Sequence, residues 1–193
     1  KKNFLKLSEQ CRDKQKAYCF TTGPSFSNYK SFQYEADSLK IICNSIVKDK
    51  EFLDYIKKPD LLVFADPVFH FGPSEYAGVF REYALEVIET YDCYVMIPCL
   101  TVPLMISHYP RIADRIIGLN DGKDFNFPTI EQFWVKSANN ILIKFMLPMA
   151  SRFADEIYII GADGRDKTED YFWKHSSLVQ FDDLMESVFN THP

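Results

Sequence analysis

The chain has 193 residues, of which 47% are hydrophobic and 16% aromatic, and a net charge of -5 at pH 7. This length and apolar content suffice for one substantial core, so we expect one globular domain, residues 1–193. The negative charge argues against a general nucleic-acid-binding protein, because no excess of basic residues is available for phosphates. The five cysteines form no Cys-x-x-Cys pair, which favours buried thiols in a reducing cytosol over disulfides or a zinc site.

No stretch of the sequence has the pattern of a membrane-spanning or targeting segment. The apolar runs are all shorter than the roughly 20 residues that cross a bilayer, and no signal peptide is visible. We therefore expect a cytoplasmic protein. Peripheral association with the inner face of the membrane and assembly into a homo-oligomer stay open at this stage.

Strands and helices are predicted to alternate along the chain. Residues 1–16 are mostly polar, and we expect a lead-in segment or a short helix there. Apolar runs predict strands at residues 18–20, 39–43, 60–65, 94–97, 115–119 and 156–160, the last of them central in the sheet. Helical periodicity predicts helices at residues 49–58, 76–90, 103–114, 130–153 and 177–189. This alternation predicts an α/β fold with a mostly parallel sheet flanked by helices.

Polar or turn-forming residues directly follow four of the predicted strands. The carboxyl ends of parallel strands share one edge of the sheet, where open α/β sheets bind nucleotides, so we expect these residues to lie close together. Hydroxyls and amides suit ribose and base edges, whereas glycine backbone and a guanidinium group suit phosphate. The four segments are Thr21 to Ser25, Asn44-Ser45, Asp66-Pro67 and Gly161 to Arg165.

The turn after the first strand, Thr22-Gly23-Pro24-Ser25, carries the clearest backbone signals. We expect Gly23 to adopt a positive φ, Pro24 to fix the next φ and Ser25 to cap the helix that follows. Neither a Walker loop nor a Gly-x-Gly-x-x-Gly fingerprint is present. ATPase and dinucleotide-binding hypotheses therefore have little direct support.

Two of the four histidines are candidates for chemistry. His70 follows Asp66-Pro67, a position that fits a substrate contact and a structural hydrogen bond about equally well. His175 lies in an aromatic segment, and a histidine with a pKa near about 6.5 is a suitable base for a sugar hydroxyl. A packed or solvent-facing side chain is the alternative for His175. His108 and His192 are expected at the surface.

These motifs, in the order in which they occur, resemble those of the bacterial lipooligosaccharide sialyltransferases, which use CMP-activated sialic acid. They also resemble relatives of that family among flagellin-glycosylation proteins and MptE-like pterin pyrophosphokinases. Each motif is short, and together they cover roughly residues 17–189. The segments that carry the resemblance are Thr22 to Ser25, Cys43-Asn44, Asp66-Pro67, Lys136-Ser137-Ala138, Glu156 to Asp163 and His175-Ser176.

The resemblance implies a single Rossmann-like domain, with a lid loop and a C-terminal helix at residues 166–193. It implies a metal-independent glycosyltransferase without a cofactor, which transfers a sialic or other nonulosonic acid from a CMP-activated donor to a cell-surface glycan acceptor. The residues that it implies as nucleotide contacts are Thr22, Gly23, Pro24, Ser25, Asn44, Asp66, Ser137, Gly161 and Asp163.

The resemblance also implies three catalytic residues. His175 corresponds to the family's catalytic histidine, and Tyr171 to a tyrosine that assists departure of the CMP phosphate. Arg165 stands where the family has another tyrosine, and its guanidinium group would stabilise the leaving phosphate through charge-assisted hydrogen bonds. Thr22 and Asp66 replace asparagines of the family, which leaves the identity of the base and the sugar open.

Two other functions fit the same pattern of residues. The first is a nucleotide pyrophosphokinase or another nucleotide-dependent transferase on this fold, in which Asp66 and Asp163 would hold magnesium. The second is a non-catalytic protein that binds a nucleotide sugar. A dependence on metal separates the first from a sialyltransferase-like enzyme, and turnover separates the second from both.

Overall fold

The computed structural model describes residues 1–163 and 181–192. The strands in these residues are β1 (Lys16–Phe20), β2 (Leu39–Cys43), β3 (Leu61–Val63), β4 (Tyr94–Pro98), β5 (Ile116–Gly122), β6 (Trp134–Lys136) and β7 (Glu156–Ile160). The α-helices are α1 (Lys2–Gln10), α2 (Lys50–Ile56), α3 (Glu75–Tyr91), α4 (Val102–His108), α5 (Leu147–Phe153) and α6 (Met185–Thr191). Short 3₁₀ helices include Pro24–Ser31 and Asn44–Lys48, and a π-helical turn, Leu142–Met146, leads directly into α5.

The strand pairs in the described residues are all parallel, in the order β6-β5-β4-β3-β2-β1-β7. This parallel sheet with its flanking helices confirms the predicted Rossmann-like α/β fold. The chain adds strands one after another from β1 to β6 and then returns to place β7 on the open side of β1. The order of strands therefore reverses between β1 and β7, where α/β sheets form a ligand-binding crevice.

The strand β7 lies at an edge of the described sheet, so the prediction of a central strand at residues 156–160 is wrong. Its apolar sequence suggests burial on both faces, yet Tyr158 and Ile159 are 42% and 44% exposed. The reason is topological. Because β2 already pairs with one side of β1, a strand that is added last can pair only with the other side.

Helices cover both faces of the sheet. The steps from β1 to β5 all run in one direction, and right-handed crossovers therefore place α2 and α3 on the same face. The long return to β7 puts α5 on the opposite face, where it packs against β1 and β2. The helix α1 lies beside it, with the Phe4 ring centroid 6.3 Å from that of Phe153. None of the described helices has both the length and the apolar composition that a bilayer crossing needs.

The predicted helix at residues 130–153 is wrong in its first half. Trp134–Lys136 instead forms β6, which pairs with residues 120–122 of β5. Helical backbone begins only after Asn140. Its Oδ1 accepts hydrogen bonds from Leu142 N at 2.9 Å and Ile143 N at 3.3 Å. A strand of three residues is too short to interrupt the helical periodicity of its neighbours, so the pattern hides it.

The predicted helix at residues 103–114 is also divided. The helix α4 ends at His108, and a 3₁₀ turn, Pro110–Ile112, follows. Pro110 has no N–H to continue the helix and disfavours helical backbone at the residue before it. Of the predicted helix at residues 177–189, the described part contains α6, while residues 177–180 lie outside the described residues.

Four of the five cysteines are buried, as predicted, whereas Cys99 is partly exposed. Cys19 and Cys43 lie in the sheet, and Cys11 and Cys93 lie at its amino-terminal side. Burial raises the pKa of the Cys11 and Cys19 thiols to about 12. These two side chains are therefore uncharged core residues at neutral pH rather than nucleophiles or metal ligands.

Candidate functional site

A cleft of about 540 Å³ lies at the carboxyl ends of the strands. It lies beside the reversal between β1 and β7 and extends to the ends of β2, β3 and β5. Its lining is more polar than apolar, and the predicted strand-end segments meet there. The lining residues are Thr21 to Pro24, Cys43, Asn44, Ala65 to Pro67, His70, Asp121, Ser137 to Leu142, Lys144 and Gly161 to Asp163.

Main-chain hydrogen bonds join the turn after β1 to the turn after β7. Thr21 N donates to Ile160 O at 2.8 Å, and Gly23 N donates to Gly161 O at 2.8 Å. A Cβ atom on Gly23 would lie 2.1 Å from Gly161 O, and a Cβ atom on Gly161 would lie 2.2 Å from Thr21 O. A side chain at either position would clash with main-chain atoms of the other turn, so both positions require glycine.

The reason for glycine at position 23 differs from the predicted one. Gly23 has φ −70° and ψ 166°, an extended conformation open to any residue, whereas Gly161 has φ +84°. Ser25 is not a helix cap, contrary to the prediction, since it lies within the 3₁₀ helix Pro24–Ser31. Its N–H donates to Asp163 Oδ2 at 2.8 Å. Asp163 thus fixes the turn that follows β1, and Ser25 is not among the residues that line the cleft.

Asn44 combines an unusual backbone with an unpaired side-chain oxygen. Its φ is 49°, in the left-handed region that residues other than glycine seldom adopt. Its Oδ1 is buried and has no hydrogen-bond partner among the described residues. An unpaired buried acceptor costs about 1–3 kcal/mol of stability. Strained backbone and unsatisfied polar groups of this kind cluster at ligand-binding sites.

Asp66 and His70 close the turn that follows β3. Asp66 Oδ1 accepts hydrogen bonds from Val68 N and Phe69 N at 2.8 and 2.9 Å. Asp66 N donates to His70 Nδ1 at 2.9 Å, so the neutral ring carries its proton on Nε2. Burial lowers the pKa of His70 to about 4, although the nearby Asp66 carboxylate opposes this shift. His70 is therefore neutral at pH 7, and the structural hydrogen bond is the alternative that is observed.

Residues 137–144 form the far side of the cleft. Ser137 directly follows β6, and its N–H donates to Gly122 O at 2.9 Å. Lys144, which is 8% exposed, places its Nζ 2.7 Å from Asp121 Oδ1. The sequence pattern does not predict this ion pair. The available signal was a single charged residue within the otherwise apolar segment 141–147.

Most of the predicted nucleotide contacts lie in the cleft. These are Thr22, Gly23, Pro24, Asn44, Asp66, Ser137, Gly161 and Asp163. The three predicted catalytic residues, Arg165, Tyr171 and His175, lie outside the described residues. The described structure therefore brings together the residues predicted to bind the nucleotide and does not include those predicted to carry out transfer.

Comparisons with known proteins give no relative for this chain. No protein-family model, no curated protein and no solved structure matches it. In residues 1–163 and 181–192, no group of three or more His, Cys, Asp or Glu side chains is placed to hold a metal ion. The cleft and the sequence motifs are therefore the features that bear on function.

The contact between the turns after β1 and β7 makes a testable prediction about glycine. We expect Gly23→Ala to lower the free energy of unfolding by roughly 1–3 kcal/mol, the usual cost of overpacking, because its Cβ has no space beside Gly161 O. The matched control is Gly78→Ala in α3, where an added Cβ meets nothing within 4 Å. Urea denaturation measures both. Equal unfolding midpoints for the two variants would show that the turns can separate without cost.

The buried imidazole of His70 predicts a stability that depends on pH. Its pKa in the folded protein, about 4, lies below its ordinary value of 6.5. As the pH falls, the unfolded state therefore binds the proton first, and stability that is complete above pH 6.5 declines towards pH 4 by an amount on the order of 3 kcal/mol.

Replacing the imidazole tests this dependence. In His70→Asn, an amide oxygen can still accept the hydrogen bond from Asp66 N, but no group titrates. We expect the difference in unfolding free energy between wild type and variant to change across this pH window, as measured by urea denaturation at several pH values. A constant difference would contradict a buried neutral His70.

Proposed function

We propose that this protein is a sialyltransferase-like glycosyltransferase, which binds a CMP-activated sugar in the cleft at the carboxyl ends of β1, β2, β3 and β7. The sugar would be a sialic or other nonulosonic acid, and the acceptor a cell-surface glycan. Two observations support the proposal. One is the resemblance of the ordered motifs to the lipooligosaccharide sialyltransferases, and the other is the chemistry of the cleft.

The observation that carries the proposal is the unpaired Oδ1 of Asn44. The fold gives this buried oxygen no donor in the described residues, so a donor from a ligand would relieve its desolvation cost. An exocyclic amine of a base or a ribose hydroxyl is such a donor. Asn44 follows β2, next to β1 in the sheet, which places it beside the glycine turn expected to contact the nucleotide.

The cleft has a suitable size and lining for a nucleotide. Its volume of about 540 Å³ is within the range of roughly 300–1,000 Å³ that is usual for small-molecule sites. Gly23, in the turn after β1, is partly exposed and lines the cleft, so a ligand can approach its backbone closely. Amide, hydroxyl and ammonium groups surround the space, as recognition of a ribose phosphate requires.

The state of His70 supports the assignment of His175 as the base. A base must accept a proton from the acceptor hydroxyl while that oxygen forms its bond to the sugar and CMP leaves with the electrons of the broken bond. His70 is poorly suited, because its Nδ1 already accepts Asp66 N and burial lowers its pKa to about 4. By the resemblance to the sialyltransferases, His175 is the base, and Arg165 and Tyr171 stabilise the leaving phosphate.

The competing hypothesis of a pyrophosphokinase requires Asp66 and Asp163 to bind one magnesium ion. Asp66 Oδ1 instead accepts two backbone N–H groups of its own turn, and Asp163 Oδ2 accepts Ser25 N. One oxygen of each carboxylate thus holds a turn. In the described residues, no group of three or more His, Cys, Asp or Glu side chains is placed to hold a metal ion, which favours the sialyltransferase-like hypothesis of the two.

The role of Asn44 predicts a loss of nucleotide affinity on its truncation. We expect Asn44→Ala to weaken CMP binding by about 1–3 kcal/mol, the usual cost of removing one partner of a buried hydrogen bond. Isothermal titration calorimetry measures the dissociation constant. Asn190→Ala, at an exposed position in α6, is the control and should bind as the wild type does. An unchanged constant for Asn44→Ala would place the nucleotide elsewhere.

The role of His175 predicts a separation of binding from turnover. With a CMP-sialic acid donor and a glycan acceptor, His175→Ala should lose on the order of 10²–10⁴ in turnover, the usual contribution of a general base, and bind CMP normally. Transfer should persist in excess chelator. A folded His175→Ala variant with near-normal transfer would show that this residue is not catalytic. Loss of transfer in chelator, with recovery in magnesium, would support the pyrophosphokinase hypothesis.

A further inference from the structure

Lys144 occupies an unusual position in the fold. It lies in the π-helical turn Leu142–Met146, which widens the backbone spiral just before α5. Such turns are rare, and they occur frequently at functional sites. The side chain of Lys144 lines the cleft, yet it is only 10% exposed. Burial of a charged lysine lowers the stability of the fold unless a partner neutralises its charge.

The partner of Lys144 neutralises its charge and leaves it available to a ligand. Asp121 Oδ1 lies 2.7 Å from Lys144 Nζ, and the Asp121 side chain is 46% exposed. An ammonium group has three N–H donors, and one carboxylate oxygen occupies one of them. Among the described residues that line the cleft, Lys144 is also the one lysine or arginine. Within residues 1–163 and 181–192, Lys144 is therefore the cationic contact for an anion in this part of the cleft.

The other carboxylates of the cleft do not counter this role. Asp163 Oδ2 accepts Ser25 N, and Asp66 Oδ1 accepts the amides of its own turn, so backbone dipoles balance part of their charge. Asp121 is the carboxylate that a ligand anion must approach. It is solvated on its exposed side, which weakens its repulsion relative to the attraction of the buried ammonium group.

We propose that Lys144 binds the anionic group of the ligand, with the base of the ligand at Asn44. The inference rests on the proposed function and adds the orientation of the donor. Asn44 follows β2, whereas the Lys144–Asp121 pair lies at the end of β5, three strand spacings away. At about 4.8 Å for each spacing, the strand axes are roughly 14 Å apart. An elongated ligand with a base at one end and an anion towards the other fits this arrangement.

The anion has two sources in a CMP-activated nonulosonic acid, the phosphate and the sugar carboxylate. The test therefore compares cytidine, CMP and CMP-sialic acid for wild type and Lys144→Met, a variant of similar length without charge. Loss of the preference for CMP over cytidine, by roughly 10- to 100-fold, assigns the phosphate. Loss confined to the preference for CMP-sialic acid over CMP assigns the carboxylate. Preferences equal to those of wild type would overturn the inference.

Two further variants separate ligand binding from a structural ion pair. Lys144→Met with Asp121→Asn removes both charges, so a purely structural role predicts that the double variant regains wild-type stability and binding. Our inference predicts that anion affinity stays low in the double variant and is kept or increased in Asp121→Asn alone. Lys136→Met, outside the cleft lining, is the control and should leave all preferences unchanged.

Inorganic pyrophosphate distinguishes failure of this inference from failure of the proposed function. Pyrophosphate binding that depends on Lys144, without any nucleotide binding, would retain the anion site and reject the CMP-sugar proposal. Wild-type CMP binding that Lys144→Met leaves intact would retain the nucleotide and reject the role of Lys144. A wild-type protein that binds neither pyrophosphate nor nucleotide would overturn both.

Discussion

The close approach of two backbone segments at Gly23 and Gly161 is the constraint on which the site depends. A Cβ atom on Gly23 would need the space of Gly161 O, and a Cβ atom on Gly161 would need the space of Thr21 O. Hydrogen bonds between the two turns keep them together. This contact requires β7 to lie beside β1, which in turn requires the long return of the chain across the far face of the sheet. The reversal of strand order, and the crevice beside it, follow from that return.

The polar residues of the cleft divide by what they contact. Asp66, Asp163 and Asn140 accept hydrogen bonds from backbone amides, so their side chains hold the turns and the helix start that shape the cleft. Asn44 and Lys144 differ, because one has an unpaired buried oxygen and the other an ammonium group with a single half-exposed partner. A rigid set of turns thus presents a smaller set of groups whose bonding capacity the fold does not use.

The sequence predicts the parallel sheet and most of the cleft, because an apolar run followed by polar residues marks a strand and its carboxyl end at once. It does not predict the reason for Gly23, since glycine satisfies both a positive φ and a close backbone approach, and the pattern is the same for either. The strand β6 is not predicted, because three residues carry too little periodicity to mark a strand. The burial of Lys144 is not predicted, because a single lysine in a helical pattern normally marks a solvated face. Here the lysine lies in a π-helical turn and its side chain is buried.

The neighbours β1 and β7 are far apart in the sequence, at Lys16–Phe20 and Glu156–Ile160. At a synthesis rate of roughly 5–20 residues per second, β7 is made on the order of ten seconds after β1. Throughout that interval one edge of a buried, apolar strand is open to pairing with other chains. Because Gly161 and Asp163 are also made late, the cleft cannot form before the rest of the sheet. The nascent chain therefore gains the complete cleft only after β7 and Asp163 have been synthesised.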